Sequence, residues 1–172
     1  HVQLVMNDTT TAPKDTTASA PVNWKVDLHQ LNLGNVSFSM QLPADSMRMA
    51  AYIGEASVND AQAELKNQFY SLKQFLLSGS SANYDTGAAK PVEGFDASHI
   101  AVRDIRIGLD SLLYKGRNMN AVLREFSMNE RSGLSITSLA GRVYSNDSII
   151  CVLGLKLQTP HSEIDLSAHT DS

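Results

Sequence analysis

The 172 residues are 42% apolar and 19% charged, with a net charge of −4. That length allows one domain or two small related halves, and the apolar share excludes a chain disordered throughout. The acidic balance offers no basic field for a phosphate backbone, the single cysteine cannot bridge to itself, and no run of about 18 apolar residues offers a helical membrane span.

The chain begins at His1 rather than Met and opens on no basic-then-apolar signal, which reads as a processed product or an excerpt. His1–Met6 alternates briefly and reads as a strand end. Asn7–Pro21 is rich in Thr, Ala and Pro with little to bury, so residues 1–22 are expected to form a flexible leader.

From Trp24 onward the dominant period is two. Val36, Phe38, Met40 and Leu42 alternate with polar residues, as do Met47, Met49, Ala51 and Ile53, and later Ile149, Cys151, Leu153, Leu155 and Leu157. The pairs Val26/Leu28, Leu31/Leu33, Ile100/Val102 and Ile105/Ile107 also alternate, but their parity changes, which predicts bulges or kinks within long strands. Turns are expected at Leu33-Gly34-Asn35, Pro43-Ala44-Asp45, Ser78-Gly79-Ser80, Glu130–Gly133 and Ser145-Asn146-Asp147. Ala61–Leu77 carries Leu65, Phe69, Leu72 and Leu76 at helical spacing, yet an internal repeat favours two strands with a turn near Asn67.

That repeat places Val26 on Ile100, Leu28 on Val102, Leu31 on Ile105 and Leu33 on Ile107. A slightly shorter shift aligns residues 50–60 with 120–130, and Leu77 to Tyr84 resembles Leu157 to Ile164. Two β units follow, 23–98 and 99–172, the second longer around Thr137–Ile149.

No constellation for catalysis stands out: there is no phosphate loop, HExxH, paired CxxC or GxSxG. His161, Glu163 and Asp165 approach a metal cluster only in outline and read as a solvated polar edge. Cys151 reads as a small core residue, and Asp104 and Asp110 as solvated charges on one strand face. Glu130-Arg131-Ser132-Gly133 reads as a hairpin turn. The apolar strand faces are the informative feature. They suit an ordinary sandwich core, or an open curved sheet whose concave apolar face binds acyl chains. A strand of eight to ten residues spans roughly 27–33 Å, the length of an extended fatty chain, and burying about 14 methylenes gives on the order of 11 kcal/mol gross.

The stretches HIAVRDIRIGLDSLLYKG (99–116), LREFSMNERSGLSITSLAGRV (123–143) and LGLKLQTPHSEI (153–164) resemble the AsmA/TamB-like proteins of the Gram-negative envelope, and residues 24–40 and 70–85 resemble a more degenerate copy of the same unit. The resemblance implies an all-β chain of repeated antiparallel strands forming an elongated, curved "β-taco" sheet with a hydrophobic groove. It further implies a periplasmic location, a parent anchored in the inner membrane, and a part in phospholipid transport and outer-membrane biogenesis. On this reading Val36, Phe38, Met40, Ile53, Ile105, Ile107, Leu123, Leu153, Leu155 and Leu157 line the lipid groove. The expected partners are acyl lipids, neighbouring β repeats of the parent and an outer-membrane assembly partner, with no nucleic acid, cofactor, metal or catalysed reaction. The alternative is an interaction module that pairs through exposed sheet edges.

Overall fold

The computed structural model describes residues 2–5, 24–42, 46–87 and 90–171. The expected leader beyond Val5, to residue 22, and the expected turn at Pro43-Ala44-Asp45 lie outside the described residues. Among the described residues nine strands form one sheet: β1 (Val2–Val5), β2 (Lys25–Leu42), β3 (Met47–Glu64), β4 (Phe69–Asp85), β5 (His99–Lys115), β6 (Asn118–Glu130), β7 (Ser135–Ser145), β8 (Ile149–Gln158) and β9 (Glu163–Asp171). They lie in sequence order, β1 through β9, and the two outermost strands do not meet, so the sheet is open. From β2 onward every neighbour is antiparallel, and β1 alone is parallel, setting Val2–Val5 beside Phe38–Gln41.

The all-β expectation holds, and the segment 61–77 resolves as two strands around a turn at Leu65–Gln68, with Gln68 in left-handed backbone at φ 47°. Its helical spacing marks no single face: Leu65 lies in the turn, Leu72 shares the face of Tyr70, and Phe69 and Leu76, paired with Glu64 and Ser57, fall on the other. The hairpin turn after Glu130 also forms: Gly133 takes φ 96° and its N–H donates to the Glu130 carbonyl at 3.0 Å. So does the turn at Asn146, whose side-chain oxygen accepts the N–H groups of Ser148 and Ile149, both at 2.9 Å. The expected turns at Leu33-Gly34-Asn35 and Ser78-Gly79-Ser80 are not turns. Both lie inside 17- and 18-residue strands, where Asn35 (φ 56°) and Gly79 (φ 58°) kink the chain without reversing it.

Such kinks explain some of the parity changes, though not those between Leu28 and Leu31 on β2 or between Leu72 and Phe75 on β4, where no left-handed residue intervenes on the strand itself. One residue in left-handed backbone uses up a position without the half-turn of a pleat, so the residues beyond it keep to the same face at the opposite parity. On β9, which has no such residue, Ile164, Leu166, Ala168 and Thr170 share one face and pair with Leu157, Leu155, Val152 and Ile150 of β8. Gly154 (φ 56°) absorbs the extra position between Val152 and Leu155. On β5, Asp104 (φ 55°) does the same between Val102 and Ile105.

Followed strand by strand, the register draws apolar columns at right angles to the strands. Leu33 pairs with Ala56, Ala56 with Leu77, Leu77 with Ile107, Ile107 with Phe126, Phe126 with Leu139, Leu139 with Leu157 and Leu157 with Ile164. A second column runs Leu28, Ala61, Leu72, Leu112, Ala121, Val143, Val152, Ala168. Direct cross-strand neighbours of this kind are the unit of sheet stabilisation, about 0.2–1 kcal/mol per pair. The other face is polar. It carries Gln30 beside Asn59 beside Gln74, with Asn59 Nδ2 donating to Gln74 Oε1 at 3.1 Å, and Lys156 opposite Asp165 at 3.5 Å.

No second layer packs on either face among the described residues. Among the described residues no side chain is fully buried, and Ala56 is the only hydrophobic residue to reach burial. Cross-strand pairing therefore replaces the usual interior.

Candidate functional site, an uncovered apolar face

The ten residues expected to line a groove divide on this frame. Val36 and Ile53 pair directly. Phe38 sits opposite Ala51 and Met40 opposite Met49, beyond the kink at Asn35. Ile105 stands opposite Ser80, and Ile107 lies in the first column between Leu77 and Phe126. Leu123 pairs with Leu109 on one side and Gly141 on the other, Leu155 with Leu166, and Leu157 with Leu139 and Ile164. These nine share the apolar face. Leu153 does not: it pairs with Arg142, next to Val143, and is 48% exposed on the polar face. Regular alternation groups it with Leu155, and the left-handed Gly154 between them breaks that alternation.

The same shift moves Cys151. Expected in the core, it lies half-buried on the polar face between Tyr144 and His169.

Sequence reasoning passed over Leu33, Ala56, Leu77, Phe126, Leu139 and Ile164 as lining residues, and these complete the first column. The signal was present in the Leu31/Leu33 alternation, but Ala56 carries little hydrophobic weight and the helical spacing masked Leu77. A depression of about 590 Å³ lies at the middle of the sheet, but its lining includes Asn32, Glu55, Ser57, Ser78, Arg106 and Glu125, which alternate with the first column, so it is not a feature of the apolar face alone.

Two serine hydroxyls repair the backbone where the strands kink. Ser80, only 3% exposed, accepts the Gly54 N–H at 3.2 Å and donates to the Ser78 carbonyl at 3.1 Å. Ser167 accepts the Gly154 N–H at 3.0 Å. A peptide group left unpaired by a bulge is thereby satisfied from the next strand.

The charged residues singled out in the sequence are occupied structurally. Asp110 pairs with Arg124 at 3.2 Å, and Asp104 accepts from Asn129 Nδ2 at 3.1 Å. Asp165 is held by Lys156, while His161 lies in the turn at Thr159–Ser162, and no group of three or more His, Cys, Asp or Glu able to hold a metal occurs among the described residues. The most buried ionisable cluster is a corner at one sheet end. Glu130, 7% exposed, accepts the Ser132 N–H at 2.6 Å and the Ala101 N–H at 3.2 Å, while Arg131 donates to the His99 carbonyl at 2.8 Å. His99 Nδ1 meets Asp96 Oδ2 at 2.9 Å. Hydrogen bonds from the Ser132 hydroxyl and N–H, then from the Ala101 N–H, hold the Glu130 carboxyl below its ordinary range.

A group whose pKa is depressed by folding stabilises the fold above its ordinary value and loses that contribution as pH falls through the folded value. Acidification below about pH 4.5 is therefore expected to lower the urea midpoint, and Glu130→Gln to flatten that acid limb. Equal acid slopes in the two proteins would contradict the role given to Glu130.

Compared with known proteins, the chain matches no family model, no curated protein and no solved structure.

Proposed function

We propose that the chain is a non-enzymatic piece of an AsmA/TamB-like envelope protein whose apolar sheet face accommodates the acyl chains of phospholipid. The observation that carries this reading is the first column, Leu33 to Ile164, eight apolar residues crossing eight strands with no second layer over them among the described residues. Strand spacing of about 4.8 Å makes that column roughly 34 Å long, the reach of a lipid tail. Most of the column is half-buried and Ile164 is exposed, and an apolar strip of this length that is only partly covered suits a ligand or partner surface. Curvature of the sheet about this face, a periplasmic location and a role in outer-membrane biogenesis belong to the same proposal, and rest on the sequence resemblance.

The test is extraction of the protein purified from a Gram-negative host, followed by mass spectrometry. Phospholipid in stoichiometric amounts is expected. A lipid-free protein that stays folded would refute the reading.

One observation favours a second reading, in which the sheet edges bind a partner strand. The β2 edge accepts Val2–Val5 as a parallel strand, and among the described residues the far edge of β9 has no neighbour. Under that reading the lipid-free protein forms concentration-dependent oligomers in sedimentation.

A further inference from the structure

Methionine is unevenly spread along the chain. Three of its six methionines, Met40, Met47 and Met49, fall on the two paired strands β2 and β3 within one short stretch of sequence. The register brings them together. Met40 and Met49 are direct cross-strand partners, and Met47, the partner of Leu42, shares the face of Met49 one pleat further along β3. Arg48, between the two β3 methionines, falls by alternation on the other face, opposite Asp85 of β4. The row that starts with Met40 and Met49 continues through Tyr84 and Ile100, with no carboxylate, imidazole or thiol in it.

Directly opposed Cβ atoms of an antiparallel pair stand about 5 Å apart, and diagonal or next-but-one neighbours about 7 Å. A point above such a triangle is roughly 4 Å from each corner, within reach of an unbranched side chain with three rotatable bonds. Three thioether sulfurs can therefore meet over this pair of strands without a backbone shift. Methionine ordinarily fills gaps in a packed interior. That role is absent here: among the described residues no layer covers the strands, Met49 is 38% exposed, and Met40 and Met47 are half-buried. The first apolar column, by contrast, is built from leucine, isoleucine, alanine and phenylalanine alone.

We infer that Met40, Met47 and Met49 form a thioether site for a soft monovalent cation, copper(I). Thioethers are soft, uncharged ligands that select copper(I), whereas imidazole serves zinc and copper(II), and carboxylates serve harder ions. The filled site carries only the single charge of the ion, at a place that water still reaches, which limits the desolvation cost. A thioether has no proton to lose on binding, so this site keeps its affinity where a histidine or cysteine site weakens with acid. It lies toward one end of the apolar face and does not require that the face carry acyl chains.

The test uses the whole chain carrying Cys151→Ser, which removes the sole thiol, on β8 away from these strands. Anaerobic titration with copper(I) against a chromophoric copper(I) chelator is expected to show one ion per chain, with equal affinity on either side of the ordinary imidazole pKa of about 6.5. The ε-methyl signals of Met40, Met47 and Met49 are expected to shift, and those of Met119 and Met128 to stay. Met40→Leu and Met49→Leu conserve volume, and each is expected to weaken binding at least about 10-fold, the cost of losing even an outer-shell partner. Met119→Leu should leave it unchanged. Copper(I) that stays with the chelator overturns the inference, as does undiminished binding by the folded Met40→Leu/Met49→Leu variant. If that variant fails to fold, the methyl signals of the parent decide: shifts at Met119 or Met128 without shifts at the three overturn it. A chain that carries phospholipid but leaves copper(I) to the chelator defeats this site and spares the acyl-chain reading; a folded lipid-free chain that binds copper(I) does the reverse.

Discussion

Gly54→Val is expected to cost about 3 kcal/mol of stability, read as a fall in the urea midpoint. A Cβ at residue 54 would stand 2.6 Å from the Gly79 carbonyl oxygen and 2.8 Å from that of Ser78, and both are backbone atoms that cannot swing aside. The clash falls where Ser80 Oγ takes the Gly54 N–H, so relief of the contact breaks a satisfied backbone group as well. Gly79→Ala provides the contrast. Its position is left-handed at φ 58°, but nothing lies within 4 Å of an added Cβ, so only the backbone preference is lost, about 1 kcal/mol. If the two variants are equally stable, the close approach of β3 to β4 does not limit the fold.

Ile107→Glu combined with Leu155→Glu is expected to abolish co-purification of lipid while the far-UV circular dichroism remains that of a sheet. Ile107 lies between Leu77 and Phe126, and Leu155 beside Leu166, so each carboxylate would stand in the path of a tail. Placing an ionised group against an acyl chain costs several kcal/mol unless it keeps its water, which it does only with the tail expelled. The sheet survives because neither residue is enclosed: both are half-exposed, and water reaches the new carboxylates. Leu153→Glu is the internal control. Paired with Arg142 on the other face, it should change neither lipid content nor stability. Loss of lipid in that variant too would remove the distinction between the faces.

Leu153 also shows how far the sequence could be read. Alternation identifies strands because a pleat reverses the side chain at every residue, and for Val36–Leu42 and Met47–Ile53 it agrees with the register, which pairs Val36, Phe38, Met40 and Leu42 with Ile53, Ala51, Met49 and Met47. It fails wherever one residue turns left-handed, and the identity of that residue is only partly diagnostic. Gly154 and Gly79 are ordinary carriers of positive φ, but Gly34, inside the expected turn, is not the kinked residue, and its neighbour Asn35 is. At Asp60 and Asp104 the left-handed residue is an aspartate, with no glycine in the neighbouring positions to announce it. Change of parity announced the kink within β5 at 103–104, whereas Gly-centred triplets suggested chain reversals that the long strands do not make. The apolar face was legible as a composition. Its columns were not, because a column is a property of register, and register depends on where each extra residue is absorbed.

The linear strand order has a consequence for assembly. Among the described residues substantial contacts occur only between strands adjacent in sequence, so each inner hairpin is stabilised mainly by its two flanking neighbours. From β2 to β9 the sheet behaves as a one-dimensional lattice, in which growth can start at any hairpin and zip outward without long-range loop closure; only the parallel pairing of β1 with β2 needs one. Adding or deleting a hairpin would lengthen or shorten the scaffold by about 10 Å while leaving distant strands unperturbed. Overall dimension is thus an adjustable quantity in this architecture, tuned by copy number rather than by redesign of an interior.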